Sequence, residues 1–365
     1  MSNKAPVLVG MDCGSGNVAT IMEKDGKMQV RLTPSYVRYL PGVLKETESR
    51  NSWVTIGSDG SEATYAVQSK AINAVDTRTK DYQLSAACRV LVVNALAGLG
   101  LSGQKVIIAD TLPADQFYDD NNAVNRAHIE LKRQSLLTAV KNANKDIASP
   151  IIVDVRIMPE AVTAFNAALY TESGDVEPRL DGVRDVVIVD IGRYTINYAH
   201  LDCETQDTYA RETTDQGAHV FLTRMKQLMI EAAEAAEIAL AAETIRSMTL
   251  DDVDAIARSG YYGSPVEALK HKRIQLDEIM CAAASSYASE IRYKLGVVVP
   301  QLANADALIV VGGTANYIGG LLRDLPNFVA DWHDNVVIPY QPQSANGRGA
   351  FFALQAEFEE ETQGV

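Results

Sequence analysis

The chain has 365 residues, which at about 150 residues per domain points to two domains, each able to bury its own core. Hydrophobic residues at 47% and charged residues at 22% exclude a disordered protein, and a charge-free run such as Val90–Gln104 falls short of the roughly 18 apolar residues of a membrane span. The 33 Lys and Arg against 47 Asp and Glu leave a net charge of −14, which argues against direct nucleic-acid binding through clustered cations; DNA, if involved, would be held by another protein.

No signal peptide is visible at the N-terminus, and Cys13, Cys88, Cys203 and Cys281 show no CxxC spacing. The expectation is therefore a cytoplasmic chain with no disulfide framework and no cysteine metal site. Val7–Met11 reads as a strand, followed by a hairpin of Val18–Glu23 and Lys27–Thr33 around Asp25-Gly26. A second hairpin is expected from Trp53–Gly57 and Glu62–Val67. Helical periodicity covers Ala86–Leu99 and Asn125–Lys145, with buried-type strands at Val106–Asp110 and Ile151–Ile157. Pro159-Glu160 then opens an apolar helix to about Tyr170.

The polar stretch Thr171–Arg184 reads as a linker, after which the pattern restarts. Val186–Val189 is apolar, Asp190-Ile191-Gly192 interrupts, and Tyr194–Leu201 resumes as a strand. Ser264-Pro265-x-Glu267 has the form of a capping box and predicts a long helix to about Leu295, while Thr249 caps a shorter one. Ala307–Val311 is a further buried strand, ending at Gly312-Gly313-Thr314 before a helix to about Leu325. A last helix covers Ser344–Glu361.

This is an internal repeat. An offset of 178 places Asp190 on Asp12, Gly192 on Gly14, Thr195 on Asn17 and Ile196 on Val18. Glycine-rich turns expose backbone N–H groups that can cradle phosphate, and two such forks facing each other would grip one nucleotide between two domains. An Asp before each fork, Asp12 and Asp190, suits Mg2+ held through its water shell. Gly312-Gly313, where a strand hands over to a helix, leaves room for a base or ribose.

Those motifs carry a family resemblance. Asp12-Cys13-Gly14-Ser15-Gly16-Asn17 and Asp190-Ile191-Gly192-Arg193-Tyr194-Thr195 resemble the two phosphate motifs of the actin superfamily. Val310-Val311-Gly312-Gly313-Thr314-Ala315 is similar to its adenosine motif, and Met158-Pro159-Glu160-Ala161 to its first connecting segment. Thr111-Leu112-Pro113, Tyr118-Asp119-x-Asn121-Asn122 and Ile129-Glu130-x-Lys132-Arg133 resemble the plasmid-segregation actins of the ParM/StbA group.

The resemblance implies an α/β, actin-like (ribonuclease H-like) duplicated fold around a nucleotide cleft. One domain is expected at 1–178 plus 335–365 and the other at 179–334. ATP or ADP with Mg2+ would bind between them, with GTP left open. Gly14, Ser15, Gly16, Asn17, Gly192 and Thr195 would meet phosphates, Gly217 would close nearby, and Gly312, Gly313 and Thr314 would meet the nucleoside. Asp12 and Asp190 would order the metal and its waters, and Glu160 would position the attacking water. Two departures stand out. Ala19 occupies a position where many members carry Lys, so Arg193 is expected to supply the phosphate-facing charge. Asn197 stands where the family commonly has Asp.

The implied activity is an ATPase coupled to head-to-tail filament assembly, driving plasmid DNA segregation through a small DNA-binding adaptor of ParR type on a plasmid centromere. The alternative within the same superfold is a metabolic kinase or phosphatase, although no acceptor-site motif is evident. The acidic tail Glu357-Phe358-Glu359-Glu360-Glu361 argues against a membrane partner.

Overall fold

The computed structural model describes residues 5–41, 51–235, 239–299, 305–323 and 335–363. Strands β1 (Val7–Cys13), β2 (Asn17–Lys24) and β3 (Lys27–Pro34) form an antiparallel meander. Asp25 and Gly26 take φ of 54° and 70° at its second turn, the left-handed pair that a tight hairpin requires. β4 (Val37–Tyr39), β5 (Ser52–Ile56) and β6 (Glu62–Val67) build a lateral sheet. Helix α1 (Ala86–Gly98) follows, capped by Ser85, whose Oγ accepts from the Cys88 N–H at 3.2 Å.

β7 (Lys105–Leu112), the short α2 (Ala114–Phe117), α3 (Arg126–Leu137), β8 (Lys141–Asn142) and β9 (Ile151–Pro159) complete the first half. Helix α4 (Glu160–Ala168) then leads away from it. The second half runs β10 (Asp185–Ile191), β11 (Ile196–Asp202), β12 (Thr208–Thr214), α5 (Ala218–Ala235), α6 (Ala239–Ser247), α7 (Leu250–Ser259), β13 (Tyr261–Tyr262) and β14 (Ile274–Gln275). It ends with α8 (Asp277–Val298), β15 (Ala307–Gly312), α9 (Ala315–Arg323), β16 (Val336–Val337) and α10 (Ala345–Gln363).

The duplication read from the sequence is structural. One sheet has the order β3-β2-β1-β7-β9 and the other β12-β11-β10-β15-β16. In each, the first strand pairs antiparallel with its hairpin partner and parallel with the next inner strand. Even the register repeats: Cys13 faces Val18 as Ile191 faces Ile196, and Asp12 faces Ala19 as Asp190 faces Asn197. Both Asp residues therefore sit at the same place, the last turn of the sheet before a fork.

Each sheet is covered on one face by its own helices and on the other by a helix that crosses over. The first sheet packs α1 on one face and α10 on the other; the second packs α5, α8 and α9 on one face and α4 on the other. A boundary drawn at residue 178 follows the chain, whereas α4 shares its core with β10, β11 and β15. Leu180, inside the polar stretch read as a linker, is buried in that same core. The two crossing helices meet closely, because a Cβ on Gly349 would lie 1.7 Å from the Thr163 carbonyl oxygen.

Two helix expectations need correction. The predicted helix Ser264–Leu295 starts only at Asp277; residues 267–272 form a 3-10 turn and β14 intervenes. Ser264 Oγ does accept from a nearby N–H, that of Val266 at 3.2 Å, but Val266 is extended (ψ 124°), so the local cap closes a turn and no α-helix propagates. The helix expected over Asn125–Lys145 ends at Leu137, where Thr138 turns extended (ψ 130°) so that β8 can pair with β5. The predicted helix end near Leu325 lies outside the described residues.

Candidate functional site

The forks between β1 and β2 and between β10 and β11 come together across the two halves. A Cβ on Gly16 would lie 2.4 Å from the Arg193 Cβ, so only glycine lets the loops approach this closely. The first fork is held from below: the Ser35 hydroxyl donates to the Gly14 carbonyl at 2.7 Å, and the Thr77 hydroxyl donates to the Ser15 carbonyl at 2.7 Å. The second is held by the start of α5, whose Gly217, Ala218 and His219 N–H groups donate to the carbonyls of Tyr194, Gly192 and Arg193 at 2.9–3.0 Å. These contacts to the loop carbonyls fix the backbone of both forks, whose N–H groups are the kind that cradle an anion.

Three carboxyls meet where the halves join. Asp12 is the penultimate residue of β1, Asp190 is the penultimate residue of β10, and Glu160 opens α4, with Asp190 and Glu160 only 9% and 7% exposed. Burial, then the Asp190 and Asp110 carboxylates, pushes Asp12 up to about 7. Burial, then Asp12 and Asp190, holds Glu160 well above the usual carboxylate range, and burial raises Asp190. Three coupled acids with raised affinity for protons form a site that would gain from a cation. Among the described residues no three ligand side chains lie close enough to cage a metal directly. The oxygen-only donors of Asp12, Asp190 and Glu160 are of the kind a hard cation takes.

Neutral amides orient the acids. Asn197 Nδ2 donates to Glu160 Oε2 at 2.7 Å, while its Oδ1 accepts from the Thr213 hydroxyl at 2.8 Å. Asn346 of α10 donates to Asp190 Oδ2 at 2.7 Å and accepts from the Thr163 hydroxyl at 3.0 Å. The Thr111 hydroxyl donates to Asp12 Oδ1 at 3.2 Å. A cavity of about 170 Å³ opens beside Glu160, Asp190 and Asn197, with Tyr118 and Arg211 on its far wall.

Behind the first fork lies a fully buried ion pair. Lys132 Nζ is 2.9 Å from Asp110 Oδ2 and donates to Gln83 Oε1 and the Thr111 carbonyl, each at 2.6 Å. Asp110 Oδ1 in turn accepts from the Cys13 N–H, and Gln83 Nε2 donates to the Cys13 carbonyl. Burial would lower Lys132, but the Asp110 carboxylate outweighs it and raises the ammonium. Both sides of the Cys13 peptide are thus pinned one residue after Asp12. Cys13 itself is buried, with its thiol raised well above the ordinary value by Cys88 and burial, so it is packing rather than a nucleophile.

Residues 7–171 match the family model described as plasmid segregation protein ParM, N-terminal. Over nearly the whole chain the structure resembles an archaeal actin homologue, Ta0583, with TM-score 0.69, 18% identity and coverage of 96% of this chain and 99% of that one. It also resembles the actin-like protein Alp7A (TM-score 0.70, 13% identity, 98% and 99% covered) and Bacillus thuringiensis ParM with ATP (0.63, 16%, 97% and 100%). The chain has an actin-like fold. No curated protein sequence matches it.

On that actin fold, the residues named from sequence can be placed. Gly14, Ser15, Gly16 and Asn17 form the first fork, and Gly192, Arg193 and Thr195 the second. Gly217 abuts the second fork, where a Cβ would meet the Thr195 N at 2.5 Å. Gly312 ends β15 at φ 94°, with a Cβ position 2.2 Å from the Ile191 carbonyl oxygen. Gly313 faces the Gln343 side chain, and the Thr314 hydroxyl is buried without a hydrogen-bond partner.

Arg193, expected to face phosphate, is held here by carboxylates. Its Nη2 donates to Asp251 Oδ1 at 2.6 Å, and Nη1 lies 3.7 Å from Asp254. The other Asp251 oxygen accepts from the Tyr36 hydroxyl at 2.6 Å, which links the two halves. Asn346 and the Lys132 cluster escaped sequence reasoning as site residues. For Lys132 a signal existed: it shares a helix face with Ile129 and Leu136, where a cation without a buried acid would be costly. For Asn346 nothing local distinguishes it from any helix residue.

Proposed function

We propose that the chain is an actin-like nucleotidase that binds ATP, or GTP, with Mg2+ between its two halves, hydrolyses it, and assembles head to tail into filaments while the triphosphate is bound. The observation that carries the reading is the convergence of Asp12, Asp190 and Glu160 beneath two facing glycine forks on a duplicated actin fold. The forks supply N–H groups to the phosphate chain. Asp12 and Asp190 would hold the metal, which when bound would supply positive charge to the phosphates and to the acids around it.

Glu160 then orients water in line with the terminal phosphate. Its amide partner Asn197 fixes the carboxylate rotamer, and the adjoining cavity of about 170 Å³ provides room for water beside it. Most of the acceleration comes from preorganised charge around the phosphates, so Glu160 need only position and polarise. Asn197 suits that role better than an Asp would, since a fourth carboxylate would raise the local acid affinity for protons further.

The ParM-type N-terminal domain supports a role in plasmid DNA segregation, with a ParR-type DNA-binding adaptor as partner and the cytoplasm as location. A related fold, a ParM described as a non-polymerisable quadruple mutant (TM-score 0.61, 13% identity), points to assembly as a property of such folds. Equilibrium binding of a fluorescent ATP analogue with and without Mg2+ tests the site. Mg2+-dependent binding lost in Asp12→Asn and Asp190→Asn supports it, and binding indifferent to both changes refutes it.

A further inference from the structure

Three elements of the second half meet over the turn that ends β15. Gly313 in that turn is covered by the Gln343 side chain, whose Cδ and Nε2 lie 3.6 Å from where a Cβ on Gly313 would stand. Gln343 belongs to the 3-10 turn Pro342–Ser344 that leads into α10. Arg258, in the last turn of α7, reaches the same place, and its Nη1 donates to Gln343 Oε1 at 3.4 Å. Tyr317 of α9 completes the group. Its ring stacks on Phe221, with 5.8 Å between centroids and 20° between planes. Burial raises its phenol, while the neighbouring Arg258 guanidinium lowers it.

This group lies next to the second fork. Gly312 is the register partner of Ile191, one residue before Gly192. Asp254 joins the two places, since its carboxylate is 3.7 Å from Nη1 of Arg193 and accepts from Nε and Nη2 of Arg258 at 3.3 Å each. A nucleotide whose phosphates lie on the forks would therefore bring its base toward Gly313, Arg258 and Gln343.

The polar atoms offered to that base are of one kind. A guanidinium can only donate, so the Gln343 amide turns its oxygen to Arg258 and keeps Nε2, a donor, for the other side. Among the described residues nothing accepts from that Nε2. Arg258, held by Asp254, adds the remaining N–H of Nη1. Guanine carries two acceptors, O6 and N7, along one edge, whereas adenine pairs N7 with an amino donor at position 6. A donor-only pair matches the first edge and sets donor against donor at the second.

We propose that Gln343 and Arg258 select guanine over adenine, so that the cleft takes GTP in preference to ATP. The proposal rests on the nucleotide-binding reading of the cleft and names the base that it prefers.

The test is equilibrium competition in Mg2+ against a GTP analogue labelled on the ribose, with GTP, ATP and inosine triphosphate as competitors. Inosine triphosphate keeps O6 and N7 but lacks the 2-amino group, so it isolates the edge in question. The wild type should bind GTP and inosine triphosphate at least about tenfold more tightly than ATP. Gln343→Ala and Arg258→Ala should each weaken GTP about fivefold or more while leaving ATP within about twofold. Gln343→Glu, whose carboxylate accepts from an amino group, should bring ATP closest to GTP. Both side chains are partly exposed, and urea midpoints matching the wild type show that the variants fold. The wild-type ratios test the proposal whatever the variants do. Labelled nucleotide that binds but is displaced by ATP as well as by GTP overturns the selection and leaves the nucleotide-binding reading intact. Inosine triphosphate competing only as ATP does, or a guanine preference that survives all three substitutions, overturns the assignment to this edge. A wild type that binds no labelled nucleotide refutes the nucleotide-binding reading itself.

Discussion

Replacing Asp12 by Asn should make the nucleotide-free protein more stable while destroying the site. Asp12 is raised from an ordinary 3.8 to about 7 by burial and by the Asp190 and Asp110 carboxylates. About three pH units at about 1.36 kcal/mol each gives about 4 kcal/mol as the ceiling on the cost of ionising it in the folded state. Asp190 and Glu160 share that cost, so the gain in Asp12→Asn should fall between about 1 and 4 kcal/mol at pH 8. The sign follows from proton affinity. The folded protein holds this proton more tightly than the unfolded chain, so the group favours folding below pH 3.8 and loses that contribution as pH climbs through about 7. The advantage of Asp12→Asn over wild type should therefore shrink by more than half between pH 8 and pH 5. Urea unfolding in EDTA across that range measures it. With Mg2+ and nucleotide added the order should reverse, because only the wild type gains the ligand's stabilisation. A variant less stable than wild type at pH 8, or a difference that does not change with pH, refutes the argument.

Glu160→Gln should bind nucleotide within a few-fold of wild type but release phosphate about 100-fold more slowly, and Asn197→Ala should lower turnover by about 10-fold with binding intact; single-turnover assays beside equilibrium binding check both. Lys132→Met leaves Asp110 buried and unpaired and should cost about 3–5 kcal/mol in denaturant unfolding, with weaker nucleotide binding through the loosened Cys13 peptide. Gly217→Ala puts a Cβ 2.5 Å from the Thr195 backbone N and should cost about 1–3 kcal/mol, read as a lowered urea midpoint. If nucleotide draws Arg193 away from Asp251, then Asp251→Ala should tighten nucleotide binding and Arg193→Ala should weaken it; equal, unchanged affinities would place Arg193 in the Tyr36–Asp251 link alone.

The duplicated architecture was legible because its signals are local. Asp12 and Asp190 each end an apolar strand before glycine, and hairpin geometry converts that pattern into two identical forks. Glu160 could be named because Met158-Pro159-Glu160-Ala161 resembles a connecting segment of the actin superfamily; an acid after Pro at a helix start is otherwise routine. Asn346 could not, since its importance arises only when α10 crosses α4 and brings it to Asp190 across 156 residues of chain. The glycines that seat α10, Gly349 against α4 and Gly347 against β2, read in sequence as a helix of low propensity. The segment between α7 and α8 reads as helix because Ser264-Pro265-x-Glu267 satisfies the capping pattern; Arg273, nine residues on, anchors the turn instead. Arg193 was placed by analogy with a missing lysine, and its partner Asp251 sits on a helix 58 residues away.

The most direct test of the central claim is high-speed sedimentation of the purified chain with Mg2+ and ATP, GTP, ADP or no nucleotide, with phosphate release followed in the same samples. Pelleting with a triphosphate, followed by loss of the pellet as phosphate accumulates, is the predicted result. A chain that stays in solution under every condition, with or without phosphate release, would contradict it and favour a soluble kinase or phosphatase on the same fold.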